Sequence, residues 1–198
     1  MNLFLDTNIY LDYFRAVNTD QLAPLRRLVE LVNEGKITLF LPEQIINEYE
    51  RQRRTVAEET REALLQSSSY APSAHLILGK TKREVKSVTR NVKKLRASFE
   101  TLLKKYDEQI ENRSTEADKL IKKLFGKSNK LADSPEILDK AQQRYLKGNP
   151  PRKNNFAYGD AIAWETLIHH SPSDSITLIT KDSDYIEKQK GKKALNSF

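Results

Sequence analysis

Four carboxylates stand out by their positions in this 198-residue sequence. Asp6 ends the apolar run Leu3-Phe4-Leu5, and Asp182 lies just past the apolar stretch 175–180. Both fall at the carboxyl ends of expected strands, which is where ligand sites form in open parallel sheets. Glu48 sits on a helix expected after Pro42, on or near the stripe of Ile45 and Tyr49. Asp160 heads the apolar face of another, which carries Ala163, Trp164 and Leu167. An unpaired charge in such a place is expensive. N-capping would account for Asp6 or Asp182 taken singly, and capping or an internal ion pair for Glu48 or Asp160, but the four together exceed what capping requires. Glu165 lies about 140° around its helix from Asp160 and reads as a supporting or structural residue.

Clustered carboxylates repel one another unless a cation neutralises them. The chain has no cysteine and three histidines, His75, His169 and His170. Disulfides, thiolate metal sites and cysteine nucleophiles are thereby excluded, and any metal must be held by oxygen. An all-oxygen set suits Mg2+ or Mn2+, one ion or two. Two such ions about 4 Å apart can activate water and stabilise the leaving oxygen of a phosphodiester.

Charge is unevenly distributed. The whole chain carries +7, but residues 51–147 hold 23 Lys and Arg against 13 Asp and Glu, a net of +10. The rest holds 11 against 14, a net of −3, so an acidic body is interrupted by a basic middle. Lys80, Lys82, Arg83, Lys86, Arg90, Lys93 and Lys94 form a dense run opposed only by Glu84. It reads either as a nucleic-acid contact or as the solvated face of a long helix. No apolar run approaches the roughly 20 residues of a membrane span, and no basic start precedes a long apolar stretch. No membrane association and a cytoplasmic location are expected.

The elements that must position these residues follow from periodicity. Leu3-Phe4-Leu5 and Ile37–Leu41 are apolar strands, joined by a helix from Gln21 to Glu34 with Asp20 as its N-cap and Gly35 as its stop. A second helix starts at Pro42-Glu43 and runs into charged sequence, and a break follows at 67–73. From about His75 to Phe125 apolar residues recur every three or four positions, as in a long amphipathic arm. After the linker Lys147–Pro151 come a helix over 157–170, a strand over 175–180 and a short final helix from Ser183. The expected fold class is α/β, a three-layer α/β/α sandwich with a central parallel sheet. One domain is expected, with a core of 1–50 plus 150–198 interrupted by a basic helical insertion over 51–149.

Leu5-Asp6-Thr7-Asn8, the helical Glu48, Gly159-Asp160-Ala161-Ile162 and Thr180-Lys181-Asp182 together resemble the PIN-domain nuclease pattern. Pro150-Pro151 through Glu165 resembles a bacterial subgroup of that family with a long helical insertion. The resemblance covers roughly 1–50 and 150–190, and each motif is short, but the four in this order are specific. It implies a single-strand-directed endoribonuclease using Mg2+ or Mn2+, with Asp6, Glu48, Asp160 and Asp182 as the acidic quartet. Asp184 is an alternative ligand to Asp182, and Thr7, Asn8 and Thr180 support the carboxylates. RNA is the implied partner. DNA as substrate, an antitoxin or other protein partner, and a homodimer stay open, since many small PIN proteins are dimeric toxins.

Two other readings compete. One is an inactive module that binds RNA or protein through the basic arm. The other is a phosphatase of the haloacid-dehalogenase type, which needs a second acid two residues after Asp6, where this chain has Asn8.

Overall fold

The structure is a computed structural model that describes residues 1–15, 20–68, 82–151, 158–171, 175–182, 186–189 and 192–195. The chain forms two compact units, one of Met1–Arg53 with Ala117–Phe198 and one of Arg54–Glu116.

The first unit, the body, is built on a four-stranded, all-parallel sheet. Its strands are β1 (Asn2–Leu5), β2 (Thr38–Pro42), β3 (Asn129–Leu131) and β4 (Ile176–Ile179), in the order β3-β2-β1-β4. Leu3, Phe4 and Leu5 of β1 and Leu39, Phe40 and Leu41 of β2 are all buried, as expected of parallel strands covered on both faces. The chain steps from β1 to β2 to β3 in one direction, then returns past both to β4. Parallel crossovers are right-handed, so the two legs place their helices on opposite faces, which makes three layers.

The packing follows that division. On one side, α1 (Thr7–Phe14), α3 (Glu43–Ser68) and α5 (Glu116–Lys127) bring Tyr10, Tyr49 and Phe125 edge to face, with centroids 5.1–6.3 Å apart. α2 (Ala23–Asn33) precedes β2 and buries Leu25, Val29 and Val32. On the other side, α6 (Pro135–Leu146) packs on α7 (Gly159–His170). Trp164 and Leu167 of α7 line a cavity of about 200 Å³ with Phe4, Ile176 and Leu178. Phe4 pairs with Leu178 and Asn2 with Ile176, so these apolar side chains share one sheet face.

The second unit contains the later part of α3 and α4 (Lys82–Glu111). The Tyr106 hydroxyl donates to the Ala57 carbonyl at 3.0 Å, Arg61 pairs with Asp107, and Val56, Ala57 and Leu103 are buried.

The helical unit over 54–116 falls within the 51–149 expected of the insertion, while α5, β3 and α6 fall in the body. Two expectations change. The helix before β2 is not capped by Asp20. A 3-10 turn over Asp20–Leu22 comes first, and Pro24 occupies the opening turn of α2, where a missing N–H costs nothing. Gly35, at φ +69°, does stop that helix. Finally, the described residues after Asp182 are strands rather than a helix. β5 (Ile186–Gln189) and β6 (Lys192–Leu195) pair antiparallel, with Ile186 opposite Leu195.

Candidate active site

The sheet order creates the site. β1 and β4 are neighbours on either side of the point where the strand order reverses, so a crevice opens beyond their carboxyl ends. Asp6 stands there. It is extended at φ −70°, ψ 156°, and it begins α1 directly off the strand. Its backbone N–H donates to Ile179 O at 3.0 Å, which ties it to the end of β4.

The Asp6 carboxylate is fixed at both oxygens. Oδ1 accepts the Thr7 backbone N–H at 2.7 Å. Oδ2 accepts Thr180 Oγ1 at 2.6 Å and Asn8 Nδ2 at 2.9 Å. Thr180 Oγ1 in turn accepts the Asp182 backbone N–H at 2.9 Å, so one hydroxyl orients Asp6 and the turn that carries Asp182. Thr7 Oγ1 donates to Glu48 Oε2 at 3.0 Å, and Gln52 donates to Glu48 Oε1 at 2.7 Å. Glu48 is thus linked to Asp6 through a single residue.

Asp160 enters from the other layer, in the first turn of α7. Gly159 lets that turn come close, since a Cβ there would lie 2.8 Å from Gln44 Nε2 and 3.8 Å from Glu48 Oε2. Glu48 and the start of α7 are therefore neighbours. Asp6 and Asp160 are both buried, and Asp182 is half-buried.

Burial pushes the Asp6 carboxyl from its ordinary 3.8 up to about 6, opposed by the Thr180 hydrogen bond and reinforced by the negative charge of Asp160 and then of Asp182. Beneath it, the fully buried Tyr10 phenol is pushed upward by burial and by the Asp6 charge, so it stays neutral. Burial is the main reason this carboxylate resists ionisation despite its three donors, the charges of Asp160 and Asp182 add to it, and a cation would relieve both. The donor set, carboxylate oxygens alone, fits a hard divalent ion. Among the described residues no three acidic or histidine side chains are gathered closely enough to hold one ion.

The expected site residues separate into groups. Asp6, Thr7, Asn8, Glu48 and Thr180 form one hydrogen-bonded cluster, with Asp160 and Asp182 within electrostatic reach of Asp6. Asp184 and Lys80 lie outside the described residues, as do the side chains of Lys82 and Arg83. Lys86, Arg90, Lys93 and Lys94 are exposed on α4, in the second unit. Glu165 pairs with Arg144 at 2.5 Å, and Arg144 also donates to Pro150 O, so Glu165 anchors the approach to α7. Gln44 and Gln52 flank Glu48 on α3. Each lies four residues from Glu48, an i,i+4 spacing legible in the sequence.

The family profile described as PIN domain matches residues 3–185, so the chain belongs to the PIN-domain family. PIN domains are generally nucleases and typically use Mg2+ or Mn2+, and the fold described here is of that nuclease type. No match was found among curated proteins or among solved structures. Among the described residues no helix is long and apolar enough to cross a membrane.

Proposed function

We propose that the chain is a Mg2+- or Mn2+-dependent endonuclease that hydrolyses phosphodiester bonds of single-stranded RNA, with Asp6, Glu48, Asp160 and Asp182 as its metal-holding carboxylates and Asp184 as the alternative to Asp182. The observation that carries this is the setting of Asp6: oriented by Thr7, Asn8 and Thr180, and raised in proton affinity first by burial and then by the charges of Asp160 and Asp182.

One or two bound ions would supply the Lewis acidity and charge neutralisation that phosphodiester hydrolysis requires. The chain's own residues prepare for this. Thr180 and Asn8 hold Asp6 in one rotamer, and Thr7 and Gln52 do the same for Glu48. Such outer partners typically govern metal affinity by about 10–100-fold. Glu48, Asp160 and Asp182 would draw in around the fixed Asp6 as an ion binds.

The test is incubation of single-stranded RNA with wild type and with Asp6→Asn/Asp160→Asn, in Mn2+ and in chelator. Metal-dependent cleavage by wild type alone is expected, and equal cleavage by the variant would remove these residues from the site. A second reading rests on the exposed Lys86, Arg90, Lys93 and Lys94. It takes the chain as a module that binds RNA without cutting it, and salt-sensitive binding without cleavage would favour it.

A further inference from the structure

We infer that Lys181 is a phosphate-binding residue at the rim of the carboxylate cluster, held ready by Asp12 and released to the backbone of an incoming single strand. This rests on the nuclease reading above and deepens it by assigning a substrate contact within the body.

The placement is specific. Lys181 lies between Thr180, which donates to Asp6, and Asp182. Its backbone N–H donates to Asn8 Oδ1 at 3.4 Å, while Asn8 Nδ2 donates to Asp6. The main chain of Lys181 is therefore tied to the hydrogen-bonded frame that fixes Asp6, and its side chain leaves from the edge of that frame. Its ammonium pairs with Asp12, one helical turn beyond Asn8 on α1.

The pair is open to solvent, with side-chain exposures of 63% for Lys181 and 35% for Asp12. Exposed pairs contribute little to stability, so the ammonium can change partners at small cost. A site dense in carboxylates repels a polyanion, and a phosphodiester must nevertheless come to rest against it. A compact charge on a flexible stem, with three rotatable donors, suits a phosphate that has to be met without fixed geometry. Asp12 holds that charge at α1 until a phosphate arrives.

Lys36 is the natural control. It is a similarly exposed lysine paired with a carboxylate, Glu34, but it precedes β2, at the amino end of the strands and away from the carboxylate cluster. Binding of a fluorescent single-stranded RNA would be measured in Ca2+ across a salt series for wild type, Lys181→Gln, Lys181→Arg and Lys36→Gln, alongside Mn2+-dependent cleavage by each. Loss of one phosphate contact lowers the log–log salt slope by about 0.7 for a single strand. Lys181→Gln is expected to show that drop and about fivefold weaker binding, the upper range for an exposed charge contact. Its KM should rise with little change in kcat, Lys181→Arg should restore most of the loss, and Lys36→Gln should match wild type.

An unchanged slope and KM in Lys181→Gln would overturn the assignment, as would an equal loss in Lys36→Gln. If wild type never cleaves but Lys181→Gln still flattens the slope, the nuclease reading fails and the phosphate contact stands.

Discussion

The body and the helical unit handle charge in opposite ways. In the interior of the body, several charged side chains are taken out of water and given defined partners. Asp6 accepts three hydrogen bonds, and Arg53 forms a two-point pair with Asp118 at 2.7 and 2.8 Å with both side chains buried. In the 54–116 unit, Lys86, Arg90, Lys93 and Lys94 face solvent, and the ion pair of Arg61 with Asp107 is exposed. Buried charges raise the cost of every local error, so they make a rigid setting for chemistry, whereas exposed ones can be rearranged or removed almost freely. The body thus has the properties of a reaction site and the helical unit those of a contact surface.

Removing the reaction site should give the largest effect. Asp6→Asn, like Asp160→Asn, should lower metal-dependent RNA cleavage by about a thousandfold or more, since several kcal/mol of charge stabilisation is withdrawn. Thr180→Val leaves every carboxylate present and should cost about 10–100-fold, recovered in part by higher Mn2+. Initial rates over a metal titration separate the two. A Thr180→Val enzyme as active as wild type at limiting metal would mean that the orientation of Asp6 is immaterial.

The next effect is on stability. Asp118→Ala removes the two-point partner of the buried Arg53 guanidinium and should cost about 3–5 kcal/mol in urea unfolding. Asp107→Ala in the helical unit should cost about 1 kcal/mol or less. Comparable losses from both would erase the contrast between the two regions.

How much of this could be read from the sequence depended on distance along the chain. Apolar runs such as Leu3-Phe4-Leu5 are local, so the buried parallel strands, and with them the strand-end positions of Asp6 and Asp182, were legible. β3 was not, because Asn129-Lys130-Leu131 has one apolar residue and becomes a strand only by pairing with β2. The C-terminal pair β5–β6 was likewise hidden, since Ser183 and Asp184 resemble a helix start and the strands are four residues each. The long-range partnerships left no mark. Thr7 meets Glu48 41 positions away, and Arg53 meets Asp118 65 positions away. Local periodicity announces that a carboxylate will be buried without saying which group will hold it.

A pH series exposes the same contrast within the body. Because the Asp6 carboxyl is raised from 3.8 to about 6, the folded state binds its proton more tightly than the unfolded state. Its contribution is fully present below about pH 4 and is lost as pH rises to about 6 and above. In chelator, wild type should therefore lose about 3 kcal/mol relative to Asp6→Asn across that window, at 1.36 kcal/mol per pKa unit. Mg2+ should return part of it, and more at pH 7.5 than at pH 5, since it competes with the proton. Parallel stability curves for the two proteins would show that burial and the neighbouring charges do not raise the Asp6 carboxyl.

The smallest stability effect should come from the most drastic-looking change. Reversing Lys86, Arg90, Lys93 and Lys94 to glutamate alters the net charge by eight, yet all four side chains are exposed on α4. Surface substitutions of this kind usually stay within about 0.5 kcal/mol each. The melting temperature should therefore move by only a few degrees, while RNA affinity falls and its salt dependence flattens if these residues meet the phosphate backbone. The cleavage rate at saturating RNA should hold, because nothing in the carboxylate cluster has changed. Binding and slope equal to wild type would return the basic run to the role of a solvated helix face. A collapse in kcat at saturating RNA would instead show that the helical unit takes part in the chemistry.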